Sequence, residues 1–376
     1  EAMKKNGVAV APWVEEMLAA GHESFYRDNS YYDPARRSYV QIAADPRVIH
    51  LAGGRKVREN KGTSLIDIGD GVLCLEFHTK MNTLDEDVRS MIEQSVEELE
   101  NGPWAGMVIG NEGADFCVGA NLAGGFGSDG SEAVRRAVKG MQDALMAVRF
   151  CSKPIVTAPF GRTLAGGAEV TLAGARIVAA AETYMGLVEV GVGLVPAAGG
   201  CKELVRRIVS PAVKQTPNAD PLPFVQNALQ TIAAAKVSTS AAEARSLGFL
   251  DTADRIVMNR DHLIFEAKEE VLELAAHGYT PPVREKSCYA AGRDVRAALK
   301  AGIYVLQQGA YMSEYDALLS SRVASILCGG DLSSGQWVDE QFLLDREREA
   351  FVQLIGESKT RERIQSMLST GKPLRN

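Results

Sequence analysis

Two glutamates sit where carboxylates are costly. Glu169 lies in TLAGGAEVTLAGA and Glu189 in MGLVEVGVGL, and neither has a Lys, Arg or His within four residues on either side. Burying an unpaired carboxylate is unfavourable, so each needs a distant cation, an exposed setting, or a task that uses its proton. Arg162, Arg176 and Arg206 are the candidate distant cations. The alternative is acid/base chemistry, with one carboxylate accepting a proton and the other donating one.

The neighbouring glycines suggest what such chemistry acts on. Gly166 and Gly167 open a predicted helix whose first turn holds Glu169. The N–H groups of a first helical turn have no intrahelical acceptors, and that end of the helix is electropositive. It can therefore hold a developing oxyanion, and a second N–H from the loop FCVGANL completes an oxyanion hole. Two carboxylates beside such a hole fit proton transfer next to an activated carbonyl. The glycine-bearing stretches FCVGANL, LAGGAEV and MGLVEVGVGLVPAAGG contain neither the G-x-G-x-x-G order of a dinucleotide fold nor a G-K-[ST] phosphate loop.

The elements that must position these residues alternate between strand and helix. SLIDIGDGVLCLEF reads as a hairpin around Asp70-Gly71. NTLDEDVRSMIEQSVEELENG reads as a helix with a Thr83/Glu86 capping box and an apolar face of Leu84, Val88, Met91, Ile92, Val96 and Leu99. WAGMVIGN, KPIVTAPF, RIVAAA and TYMGLVEV read as strands, with a helix bearing Val134, Val138, Met141, Leu145 and Val148 between the first two. This pattern implies α/β with mostly parallel crossovers. Beyond about residue 211 the chain reads as almost wholly helical. Tyr289–Leu327 is one long helical stretch, and the tail is a helix pair broken at Gly356. Residues 1–60 read as a short amphipathic helix and a linker with short elements.

Composition narrows the function classes. The 376 residues carry a net charge of −7, so no basic footprint argues for nucleic acid. No apolar run reaches membrane-spanning length, and no signal peptide is recognisable. The six cysteines lack metal-ligand spacing and the five histidines are isolated, so no metal site is expected. Reduced cysteines packed as small hydrophobes imply a reducing, cytoplasmic setting.

In order and spacing, FCVGANL, LAGGAEV and LVEVGVGLVPAAGG resemble the oxyanion loop and the two glutamate motifs of the enoyl-CoA hydratase/isomerase (crotonase) superfamily. The resemblance implies an α/β fold, a ββα spiral core at residues 62–275 with a helical C-terminal extension at 276–376. It assigns catalysis to Glu169 and Glu189 and the oxyanion hole to the backbone N–H groups of Ala120 and Gly166. Gly119, Ala120, Asn121, Leu122 and Gly166 line the substrate. The substrate class is an acyl-CoA thioester, and no cofactor is implied for this chain. Asn121 stands where the family commonly has Asp, and Leu187-Val188 where hydratases often have Gln-Pro. The connection PAVKQTPNADPLPFVQNALQTIAAAK is longer than usual, and it either covers the site or meets the tail.

The tail resembles the end of bacterial 3-hydroxyacyl-CoA dehydrogenase/enoyl-CoA hydratase fusions of fatty-acid β-oxidation. VAPWVEEMLAAG resembles the end of their dehydrogenase lobe, so residues 1–61 are expected to be a remnant of that lobe, whose NAD-binding part is absent here. The activities implied are enoyl-CoA hydration, with enoyl-CoA isomerisation or docking of the dehydrogenase to a thiolase as alternatives. Acetyl-CoA acyltransferase (thiolase) and acyl-CoA dehydrogenase are candidate partners, and a homo-oligomer stays open.

Overall fold

The computed structural model describes residues 5, 7, 9–27, 30–42, 45–121 and 130–376, in two compact units, Glu1–Val48 and Ile49–Asn376. In the first unit the helix Pro12–Ala19 opens on a proline, whose missing N–H sacrifices no helical bond there. Strands β1 (Tyr26–Arg27), β2 (Ser30–Asp33) and β3 (Ser38–Gln41) follow as an antiparallel meander. Tyr32 is buried opposite Tyr39, and His22 stands against both rings. The region is thus more ordered than a linker, because cross-strand aromatic pairs let a short meander hold.

The second unit contains β4 (Arg55–Glu59), β5 (Thr63–Asp67), β6 (Val72–Phe77), β7 (Gly106–Gly110), β8 (Ile155–Ala158), β9 (Gly161–Leu164), β10 (Arg176–Ala180), β11 (Thr183–Gly186) and β12 (Arg255–Val257). Seven of these form one sheet in the order β12-β10-β8-β7-β6-β5-β4. Strands β4 to β6 pair antiparallel, through a hairpin turn with Asp70 and Gly71 at positive φ, and the rest pair parallel. Strands β6 to β8 are continuous apolar runs because both faces of the sheet are covered. Strands β9 and β11 form a separate parallel pair.

Three local expectations change. The helix Glu86–Asn101 is capped by Asp85, which accepts the Val88 N–H, and not by Thr83. Leu84 stays extended because its N–H donates to the Gly119 carbonyl and its own carbonyl accepts from Asn121. The strand predicted through Glu189 ends at Gly186, and Glu189 begins a 3₁₀ turn, Glu189–Val192. The chain beyond residue 211 also contributes β12 to the sheet, a strand of three residues and too short to show a period of two.

The C-terminal part holds the helices Gly292–Gln308, Glu314–Leu327, Glu340–Ile355 and Ser358–Thr370. The expected single helical stretch from Tyr289 is a short strand, Cys288–Ala290, and then two helices, restarted by a Ser313/Asp316 capping box. Leu319, Val323, Leu343 and Leu354 share one apolar cluster with Ala168, Leu187, Val190 and Leu194. The extension therefore shares its core with the elements that bear the two glutamates. The long connection meets it too: its helix Leu222–Ala233 packs on Glu314–Leu327. No helix among the described residues is long and apolar enough to cross a membrane.

Candidate active site

The backbone donors come from two segments pressed together. Cys117 donates its N–H to Arg162 and accepts from Leu164, while Leu84 brackets Gly119 and Asn121. Ala165 turns the chain from β9 into the helix Gly166–Ala173 at φ +51°, a conformation that costs a non-glycine residue about 1–3 kcal/mol. The close approach explains the glycines. A methyl group on Gly167 would lie 2.3 Å from the Cys117 carbonyl oxygen, and one on Gly119, at φ +100°, 2.8 Å from the Ala165 methyl. A methyl on Gly166 would lie 3.7 Å from the Ala120 nitrogen, so the Ala120 and Gly166 N–H groups are neighbours. Among the described residues neither has a hydrogen-bond acceptor. Asn121 is exposed beside them, and Leu122 lies outside the described residues.

Both glutamates are buried. Glu169, on the first turn of the helix, is 5% exposed, and its Oε1 accepts the N–H groups of Ala198 and Gly200, each at 2.8 Å. Burial pushes its carboxyl up to about 7, opposed by those two hydrogen bonds. Glu189 is 8% exposed and its Oε2 has no hydrogen-bond partner. Burial first, and then the charge of Glu169, push the Glu189 carboxyl well above the usual range. The backbone N–H bonds favour the charged form at Glu169, and their lack at Oε2 of Glu189 favours the neutral one.

The arginines that could have neutralised these carboxylates are committed elsewhere. Arg162 pairs with Asp115 at 2.6 Å, Arg206 with Glu203 at 2.7 Å, and Arg176 faces Glu270. The arrangement thus offers two buried carboxyls with raised pKa, Glu169 the more readily ionised of the two, and two backbone donors at the start of the helix that carries Glu169. Among the described residues no group of His, Cys, Asp or Glu could hold a metal ion.

Residues 67–219 match the model of the enoyl-CoA hydratase/isomerase family. Over 81% of the chain and the whole of its counterpart, the fold is that of an enoyl-CoA hydratase from Bacillus halodurans, at TM-score 0.53 and 17% identity. This core therefore has the crotonase fold. A second solved enoyl-CoA hydratase, from Mycobacterium avium subsp. paratuberculosis, matches 84% of this chain and 98% of its own at TM-score 0.53 and 16% identity. In sequence, the chain is 41% identical over its full length to a Bacillus subtilis (strain 168) protein named a probable 3-hydroxyacyl-CoA dehydrogenase, of which it spans 48%. A crotonyl-CoA hydratase of Syntrophomonas wolfei is 28% identical over 38% of this chain and 56% of its own. The chain spans about half the length of these curated relatives.

Around the crotonase core the extension supplies residues that motif reading passes over. Thr360 donates to the Gly193 carbonyl at 2.6 Å, and Arg363, 1% exposed, donates to the Val190 carbonyl at 3.1 Å and to Asp316. Both bonds hold the turn that begins at Glu189. Glu340 pairs with Arg149 at 2.8 Å and Lys202 at 2.9 Å, all three buried. Glu347 is fully buried, accepts the Lys202 N–H at 2.7 Å, and is pushed well above the usual range by burial and by the charge of Glu169. A signal for it exists: Glu340 and Glu347 fall on the same stripe as Leu343, Leu344, Phe351 and Leu354 of their helix, positions that face a core.

Proposed function

We propose that this chain hydrates an enoyl-CoA, adding water across the α,β double bond to give a 3-hydroxyacyl-CoA. The observation that carries the reading is the pair of buried carboxyls without an ion pair among the described residues, Glu169 lying on the first turn of the helix whose Gly166 N–H neighbours that of Ala120. The water oxygen bonds to the β-carbon while Glu169 takes a water proton. The π electrons move toward the thioester, whose oxygen is held by the two N–H groups, and Glu189 delivers its proton to the α-carbon. One proton passed from Glu169 to Glu189 restores the starting state, so the net change is one water gained. The two N–H bonds on Glu169 support it as the base and the unpartnered Oε2 of Glu189 supports it as the acid. A backbone donor removed from such a hole costs about 3 kcal/mol in the barrier.

Hydration needs no redox cofactor. Its product is the substrate of an NAD-dependent 3-hydroxyacyl-CoA dehydrogenase, and the name of the B. subtilis relative supports placing the two activities in one bifunctional protein of fatty-acid β-oxidation. In that pathway an acyl-CoA dehydrogenase precedes and a thiolase follows. Isomerisation typically needs one carboxylate, and the presence of two supports hydration.

The test is steady-state hydration of a short enoyl-CoA by the wild type, Glu169→Gln and Glu189→Gln. Each variant is expected to lose roughly 10²–10⁴-fold in kcat. Wild-type turnover by either overturns the two-carboxylate mechanism. Acyl-CoA binding without turnover by the wild type supports a docking module instead.

A further inference from the structure

The crotonase core already has its two carboxyls, yet the C-terminal helix Glu340–Ile355 buries a third beside them. Glu347 Oε1 accepts the Lys202 N–H, and its Oε2 has no partner among the described residues. Leaving a buried oxygen unpaired costs about 1–3 kcal/mol, more when it is charged, and an apolar side chain on that stripe would avoid it. The same turn serves both carboxyls: Ala198 and Gly200 donate to Glu169, and Lys202 donates to Glu347. The groups facing Glu347 are Glu169 from its helix, Glu189 from its turn, and Lys202 and Cys201 from the helix Gly200–Leu204. The Lys202 ammonium is itself committed to Glu203 and Glu340, so it does not form an ion pair with Glu347.

We infer that Glu347 is a positioning residue for Glu169: by accepting the Lys202 N–H it fixes the 198–202 turn whose Ala198 and Gly200 N–H groups hold the Glu169 carboxyl. The catalytic consequence rests on the hydration reading. Those two bonds favour the charged, proton-accepting form of Glu169, so a turn held in place keeps the base in place. The extension then does more than cover the core: it carries the acceptor that anchors this turn.

The experiment uses the full chain with ¹³C-labelled glutamate side chains, the Glu169 signal being identified by its loss in Glu169→Gln. Glu347→Gln keeps an acceptor for the Lys202 N–H and the side-chain volume, whereas Glu347→Ala removes the acceptor and frees the turn. Both variants remove the ionisable group, so the difference between them reads the turn alone. The Glu169 midpoint is expected to lie about half a pH unit or more higher in Glu347→Ala than in Glu347→Gln, because its N–H bonds loosen. The kcat of Glu347→Ala is expected to drop about tenfold with KM little changed, and Glu347→Gln to recover most of it. Equal Glu169 midpoints in the two folded variants overturn the positioning role. The titration needs no turnover. A wild type that fails to hydrate therefore sinks the hydration reading alone, and the Glu169 midpoints still decide this one.

Discussion

Thr360 donates its hydroxyl hydrogen to the carbonyl of Gly193 across 167 positions of sequence, at 2.6 Å and fully buried. The same hydroxyl meets Tyr315 at 2.6 Å, and Gly193, at φ +81°, approaches so closely that a methyl there would lie 2.9 Å from the Thr360 Cα. The last helix of the chain is therefore bonded to the turn that carries Glu189. Thr360→Val keeps the shape and removes both bonds. It should destabilise the protein by about 1–3 kcal/mol in chemical denaturation, because the carbonyl and the phenol lose their partner. Unchanged stability would mean the bond contributes nothing to holding the turn.

Gly167→Ala tests the joint between the Ala120 and Gly166 N–H groups that we propose as oxyanion donors. Its methyl meets the Cys117 carbonyl at 2.3 Å and that residue's Cβ at 2.8 Å, atoms that can move only with the backbone. The loop bearing Ala120 and the helix bearing Gly166 must separate. A stability loss of about 1–3 kcal/mol is expected from overpacking. A fall in hydration of about 10²-fold is expected from the misplaced donors. A variant with normal turnover would show that the donors tolerate the shift.

The burial of Glu169 makes stability depend on pH in a defined direction. Its folded carboxyl titrates at about 7, above its ordinary value of 4.5. Between those values the unfolded chain has released the proton and the folded one retains it. This group's contribution therefore favours folding below pH 4.5 and is lost as pH rises to about 7. Glu169→Gln removes the dependence. The Tm of the variant relative to wild type should rise between pH 5 and pH 8. A constant difference would show that Glu169 titrates normally.

Glu340 joins the extension to the core through buried Arg149 and Lys202. Glu340→Gln leaves Arg149 without its carboxylate and Lys202 with Glu203 alone. A loss of about 3–5 kcal/mol is expected in equilibrium unfolding. Replacing Glu340, Arg149 and Lys202 together by apolar residues should recover much of it, because the penalty lies in the unpaired charges. Failure of the triple variant to recover would point to a packing role instead.

The sequence by itself determined the glycine-rich stretches, the alternation of strand and helix, and the isolation of Glu169 and Glu189 from local cations. These are local properties: a close backbone approach demands glycine, and a buried sheet demands continuous apolar strands. Only the tertiary structure decided what lies across from them. The start of the helix after Thr83 moved to Asp85 because Leu84 is held by the Gly119 loop, a contact no local pattern encodes. Glu347 stands in the charged run DREREA, and its place on the apolar stripe of that helix is its one local sign of burial. Its burial depends on which face of that helix meets the turn at Lys202. The distant partner that Glu169 lacks in sequence is supplied by backbone N–H groups of Ala198 and Gly200, and the arginines are drawn to other carboxylates. Pairings of this kind are set by the packing of elements far apart in the chain, where the alternatives are an unpaired charge in an apolar interior or a different fold.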